Sequence, residues 1–168
     1  NPPGFPTMGA PRGRDSAVEL AKAYLKRKYH KPGNVYIGVV SRLDATVSGV
    51  LLLARTSKAA ARLNEQFKSG TVEKTYWALV SGNPEPAGEL TDYLLKDEAA
   101  ERMRVVAASR PGAKHAALHY RRVETAVDGA ALLEIQLLTG RKHQIRVQLA
   151  SRGWPILGGK KYGSRRAF

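Results

Sequence analysis

The chain has 168 residues, with 28 Lys plus Arg against 14 Asp plus Glu and no cysteine. That length suits a single domain with a genuine core, and the missing Cys excludes disulfide frameworks, zinc ribbons, thiolate catalysis and redox motifs. No run approaches the roughly 18 apolar residues of a membrane span, and a net charge of +14 calls for a polyanionic partner, nucleic acid ahead of an anionic membrane.

The charge is uneven. No acid follows Glu134, whereas Arg141, Lys142, Arg146, Arg152, Lys160, Lys161, Arg165 and Arg166 do, and residues 12–31 carry seven Lys or Arg against Asp15 and Glu19. Two basic ends flank a balanced middle.

Residues 1–14 hold four of the nine prolines and read as an irregular arm that includes Arg12 and Arg14. Ser16 and Glu19 have capping-box spacing, and Ala17, Leu20, Ala21, Tyr24, Leu25 and Lys28 form a helical stripe, so a helix is predicted over 16–29, ended by Pro32 and Gly33. Short strands are predicted over 35–40 and 49–54. Between them lies the hydroxyl-rich loop Ser41-Arg42-Leu43-Asp44-Ala45-Thr46-Val47-Ser48, the sort of segment in which a scaffold presents chemistry.

Thr56 or Ser57 caps a second helix with Ala59, Ala60, Leu63 and Phe67 on one face and Gly70 as its stop. Strands follow at about 72–81, 89–95 and 102–108. Segments 116–126 and 131–138 are joined at Asp128-Gly129 as a hairpin, and a short helix is predicted over 143–151, ended by Gly153. At least six strands against three helices without βαβ alternation give an α+β fold with a mixed, largely antiparallel sheet and flanking helices.

Asp44 stands apart from the other carboxylates, which fall in helix starts, polar runs and turns; by local pattern alone it is a turn residue capping its own backbone. His115 and His119 share a strand but sit roughly 13 Å apart along it, too far for a metal pair. His30 and His143 lie in basic segments expected to be exposed. Neither phosphate-loop pattern accompanies Gly158, Gly159 and Gly163, so that basic tail reads as an RNA-backbone contact.

Three ordered motifs carry a resemblance. Arg42-Leu43-Asp44, then Ser48-Gly49 and a Leu-rich run to Ala54, is similar to H-R-L-D-x-x-T-S-G-x-x-L-x-A. Lys74 to Gly82 is similar to K-x-Y-x-A-x-V-x-G. Thr139 to Val147 is similar to T-G-R-x-H-Q-I-R-V, continued by Gly153-Trp154-Pro155-Ile156 and Tyr162-Gly163, and Pro2-Pro3-Gly4 looks like the end of an opening K-P-x-G segment. Together they resemble the RluA-type RNA pseudouridine synthases over nearly the whole chain.

The resemblance implies one catalytic domain over 1–168 with a central cleft, isomerising a uridine in rRNA or tRNA without metal or organic cofactor. It implies Asp44 as the catalytic carboxylate, either as nucleophile or by taking a ribose proton. Arg42 would fill the space left by the flipped base, Tyr76 would pack on the uracil and move a proton, and Arg146 would pair with the Asp. Lys74, Arg141, Lys142, His143, Lys160 and Lys161 would contact RNA. Ser41, Ala45, Val47, Gln148 and Gly159 depart from the pattern, leaving open a non-catalytic RNA-binding or ribosome-assembly protein on the same fold. A binder of anionic membranes is disfavoured, since the first helix offers only Leu20, Tyr24 and Leu25 as anchors. The chain is expected to act as a monomer in the cytoplasm, or in an organelle if a targeting segment precedes Asn1. It reads as a trimmed catalytic core.

Overall fold

The computed structural model describes residues 1–11 and 13–164; the basic residues Arg12, Arg165 and Arg166 lie outside the described residues. The chain forms two compact units, Asn1–Val72 and Glu73–Phe168. No helix among the described residues is long and apolar enough to cross a membrane.

In the first unit, α1 spans Ala17–Lys28. Its start is the expected capping box: Ser16 Oγ accepts from Glu19 N, and Glu19 Oε2 accepts from Ser16 N at 2.6 Å, which holds the Glu19 carboxyl below its ordinary pKa. The predicted stripe is not a core face, because only Val18 of this helix is fully buried while Leu20 and Tyr24 stay about half exposed. The predicted strands shrink to a two-residue ladder, β1 (Gly38–Val39) against β2 (Leu53–Ala54). Outside the ladder, Val40, Gly49 and Leu52 find backbone or side-chain partners in the adjoining loop and arm. α2 spans Ser57–Ser69, capped by Thr56 and stopped by Gly70, and packs on both short strands through a face containing the buried Ala60.

In the second unit, five strands form one sheet in the order β3 (Thr75–Ser81), β7 (Ala130–Leu137), β6 (Lys114–Thr125), β4 (Ala87–Asp97), β5 (Arg102–Val106). Every pairing among the described residues is antiparallel, so the largely antiparallel sheet expected is wholly so. The β6–β7 turn is the predicted Asp-Gly hairpin, with Asp128 Oδ1 accepting from Ala130 N. α3 (Gln144–Ser151) packs against β4, β5 and a 3-10 turn at Lys160–Tyr162. The core combines Val80, Leu118, Leu133, Ile135 and Leu149, all fully buried. Each contributes about 1.5–3 kcal/mol by leaving water, enough to make this sheet a rigid platform for the side chains at its edges.

Candidate functional site

Asp44 lies in the loop joining β1 to β2, and the loop is held from two sides. At its base, Val40 N and Ser41 N both donate to Leu52 O, while Ser41 Oγ accepts from Leu52 N at 3.1 Å. Ser41 thus has a structural task where the family pattern carries His. From the other side comes the proline-rich arm. Thr7, 4% exposed, accepts from Leu43 N at 3.3 Å and donates to Leu43 O at 3.4 Å through the same hydroxyl. Gly4 N donates to Ala45 O at 2.6 Å, and Asn1 exchanges two bonds with Gly49.

The residues on both sides of Asp44 are therefore pinned to the arm. Sequence reading treated that arm as irregular and basic; irregular it is, but its polar backbone is used to hold a loop. The one signal available was the Pro2-Pro3-Gly4 likeness. Asp44 is half-buried, and its carbonyl accepts from Val47 N at 2.9 Å, so it also opens a turn, as local pattern alone suggested. Arg42 is exposed.

In the second unit, Tyr76 sits on β3 opposite Ile135, half-buried against the core, and burial pushes its phenol above the usual pKa. Its proton is retained throughout the neutral range. Lys74 enters β3 partly buried, its carbonyl accepting from Leu137 N at 2.9 Å.

The third motif is built around two buried amides. Gln144 accepts from Thr139 Oγ1 at 2.8 Å and from Arg141 N at 2.9 Å and donates to Ala117 O at 3.0 Å, fastening the Thr139-Gly140-Arg141 turn to β6. His143 then takes a left-handed conformation, φ 53°, to enter α3. Gln148, fully buried, directs Nε2 at Leu90 O, Ala116 O and Asp92 Oδ2, while Arg152 donates to the same Asp92 oxygen at 2.6 Å.

Two predicted site residues converge on a third that sequence reading had noted only as a motif continuation. The Arg146 guanidinium carbon lies 5.1 Å from the Tyr162 ring centre, and His143 Nδ1 shares a 2.8 Å hydrogen bond with the Tyr162 hydroxyl, which also accepts from Met103 N. His143 is consequently half-buried rather than the exposed residue expected. Arg141 and Lys142 are exposed, Arg141 anchored through Nε to His115 O at 2.8 Å, and Lys160 and Lys161 are exposed on the 3-10 turn. Gly159, where the family pattern has Asp, lies so close to Ile156 that a Cβ would come within 2.8 Å of its carbonyl oxygen, so this backbone admits no side chain there. His115 and His119 take separate partners, a Tyr93 ring contact and the Glu89 carboxylate.

The first unit thus holds a carboxylate on a braced loop, and the second holds a half-buried phenol, a guanidinium set against Tyr162 and exposed cations. The family model for RNA pseudouridylate synthase matches residues 2–151. An RNA pseudouridine synthase of Chloroflexus aurantiacus, itself described as uncharacterized, is 40% identical over 165 residues, covering 96% of this chain and 49% of that protein. The ribosomal large subunit pseudouridine synthase D of Zymomonas mobilis is 37% identical over 126 residues, covering 75% and 39%. The solved human RNA pseudouridylate synthase domain containing 4 superimposes with a TM-score of 0.81 at 26% identity, covering 98% of this chain and 64% of that one. The chain belongs to the RNA pseudouridylate synthase family, in its RluA-type branch. It spans about half the length, or less, of these two curated relatives.

Proposed function

We propose that this chain isomerises specific uridines within structured RNA, ribosomal RNA first and transfer RNA second, to pseudouridine. The observation that carries this is the family match over residues 2–151, a span that includes the Asp44 loop, Tyr76 and Arg146; this reading takes residues 1–168 as one catalytic domain. The ribosomal substrate is favoured by the name of the Zymomonas mobilis relative.

In this reading the target base leaves its stack, at a cost of a few kcal/mol, and Arg42 occupies the vacated space. Asp44 acts on the nucleoside, by attack or by removing a ribose proton. The N1–C1′ bond breaks, the uracil turns, C5–C1′ forms, C5 loses its hydrogen to solvent and N1 gains a proton. Tyr76 packs on the turning base and serves as the proton-carrying group, a role its retained phenolic proton supports. Arg146, its planar cation held against Tyr162, is the basic residue this reading assigns to the catalytic carboxylate. Lys74, Arg141, Lys142, His143, Lys160 and Lys161 contact the RNA, and the chain works as a monomer. Pseudouridine maps of rRNA and tRNA from cells with and without the gene test this: specific sites should vanish in the deletion, and identical maps would contradict it.

A non-catalytic RNA-binding role is the second reading, favoured by the Ser41, Ala45 and Val47 departures around Asp44. It requires that an Asp44→Asn protein rescue the deletion strain as well as the wild type.

A further inference from the structure

The first unit carries twelve Lys and Arg against four Asp and Glu, a net +8. Part of that charge is interleaved with aromatic rings left in solvent. Tyr24, Tyr29 and Tyr36 are 49%, 43% and 50% exposed, although sequence pattern assigned Tyr24 to a core stripe. Lys28 Nζ donates to the Tyr24 hydroxyl at 2.9 Å and stands 5.3 Å from that ring's centre. The Arg55 guanidinium carbon lies 4.5 Å from the Tyr29 ring centre, with Nη1 donating to the Tyr29 hydroxyl at 3.1 Å.

Beside this stack is a recess of about 320 Å³ whose polar walls are Tyr29, Lys31, Tyr36, Arg55 and Thr56. Among the described residues no carboxylate lines it, and none of its lining residues belongs to the Asp44 loop. Its volume is at the small end for ligand sites, room for a nucleotide rather than a duplex. Tyr36 is set in place by a close approach: a Cβ on Gly38 would lie 2.9 Å from the Tyr36 hydroxyl and 2.7 Å from Ala60 Cβ, so only glycine lets the ring lie there. Cations around a fixed, half-exposed aromatic ring suit a π-faced base joined to a phosphate. The remaining walls, Leu25, Val35 and Ala59, offer an anionic membrane no bulky anchor.

We infer that this recess binds one unpaired nucleotide of the RNA, its base stacked on Tyr36 and its phosphate held by Lys31 and Arg55, as a second RNA contact apart from the Asp44 loop. The inference rests on the RNA reading above and adds a site to it. Its occupant lies in a single-stranded stretch of the same RNA, because a paired base has no free face to stack.

The test uses the full chain with single-stranded oligouridylate bearing 5-iodouridine. Photo-crosslinks are expected on Tyr36 or Tyr29, and Tyr36→Ala is expected to lose about tenfold in affinity by fluorescence anisotropy while Tyr36→Phe keeps it. Lys31→Gln and Arg55→Gln should each lower the slope of log K against log salt by about one. Tyr36→Leu, which keeps bulk without a π face, guards against a folding artefact and should bind like Tyr36→Ala. Crosslinks confined to other segments, or Tyr36→Ala and Tyr36→Leu binding within about twofold of wild type, overturn the inference. Capture of the protein by phosphatidylserine vesicles or an acidic peptide through Tyr36, without RNA binding there, overturns it too. Pseudouridine formation in a short stem-loop, measured alongside, separates the two readings. Conversion without crosslinks on Tyr36 or Tyr29 removes only the recess, whereas crosslinks there without conversion remove only the enzymatic role.

Discussion

Thr7 and Leu43 exchange two hydrogen bonds through one hydroxyl, Leu43 N to Thr7 Oγ1 at 3.3 Å and Thr7 Oγ1 to Leu43 O at 3.4 Å, immediately before Asp44. Gly4 holds Ala45 immediately after it. A proline-rich arm thus fixes the backbone on both sides of the candidate catalytic carboxylate, and Thr7 is a positioning residue. Thr7→Ala strands the part-buried Leu43 N–H, and about 1–2 kcal/mol of stability should be lost in urea unfolding. At temperatures where the variant stays folded, kcat should fall about 10- to 100-fold with RNA affinity unchanged, and Thr7→Ser should restore it.

Arg42 is exposed at the mouth of this loop. If it fills the space of a flipped base, its value depends on whether the base was stacked. Arg42→Ala should therefore slow conversion of a uridine in a stem by about 10- to 100-fold and that of a uridine in an open loop much less. Single-turnover rates on the two RNAs give the ratio directly.

Burial raises the Tyr76 phenol and also that of Tyr120. For a group whose folded pKa lies above its unfolded value, stability is undiminished below the unfolded pKa of about 10 and declines as pH rises through the folded one. Absorbance titration at 295 nm should accordingly show late ionisation at Tyr76 and Tyr120. The first should disappear in Tyr76→Phe, and the wild-type rate should show no loss assignable to this phenol up to about pH 9.

Asp92 is the hub beneath α3, receiving both Gln148 Nε2 and Arg152 Nη1. Asp92→Ala leaves a partly buried guanidinium without its partner and should cost about 2–4 kcal/mol, less than the largest such losses because Arg152 still reaches water. Gln148 Oε1 is buried and finds no hydrogen-bond donor among the described residues. Gln148→Met should therefore cost less than Asp92→Ala in the same unfolding measurement.

Local signals were legible wherever the partners of a segment are close in sequence. The capping box at Ser16, the Thr56 cap, the Gly70 stop and the Asp128-Gly129 hairpin stand where their residues indicated. The apolar runs 35–40 and 49–54 resembled strands but pair over only two residues, since Ser41 bonds to Leu52 while Leu43 and Gly49 bond to an arm 36 and 48 positions away. The strand expected over 89–95 runs over Ala87–Asp97 although Asp92 occupies an inward position between Leu90 and Leu94, an apparent break in alternation that Gln148 and Arg152 repair from 56 and 60 residues downstream. The motifs named Asp44, Tyr76 and Arg146 at once; the roles of Thr7, Gln144 and Tyr162 in holding their surroundings required the fold.

Forming the C5–C1′ bond expels the hydrogen from C5, so tritium release from RNA carrying 5-tritiated uridine measures the reaction itself. Asp44→Asn keeps the size and polarity of the side chain and removes its charge and basicity. With wild-type protein releasing tritium stoichiometrically from the target site, Asp44→Asn is expected to release it at least about 1,000-fold more slowly while binding the same RNA within about twofold. Release by Asp44→Asn at the wild-type rate would contradict the assignment of Asp44 as the catalytic carboxylate.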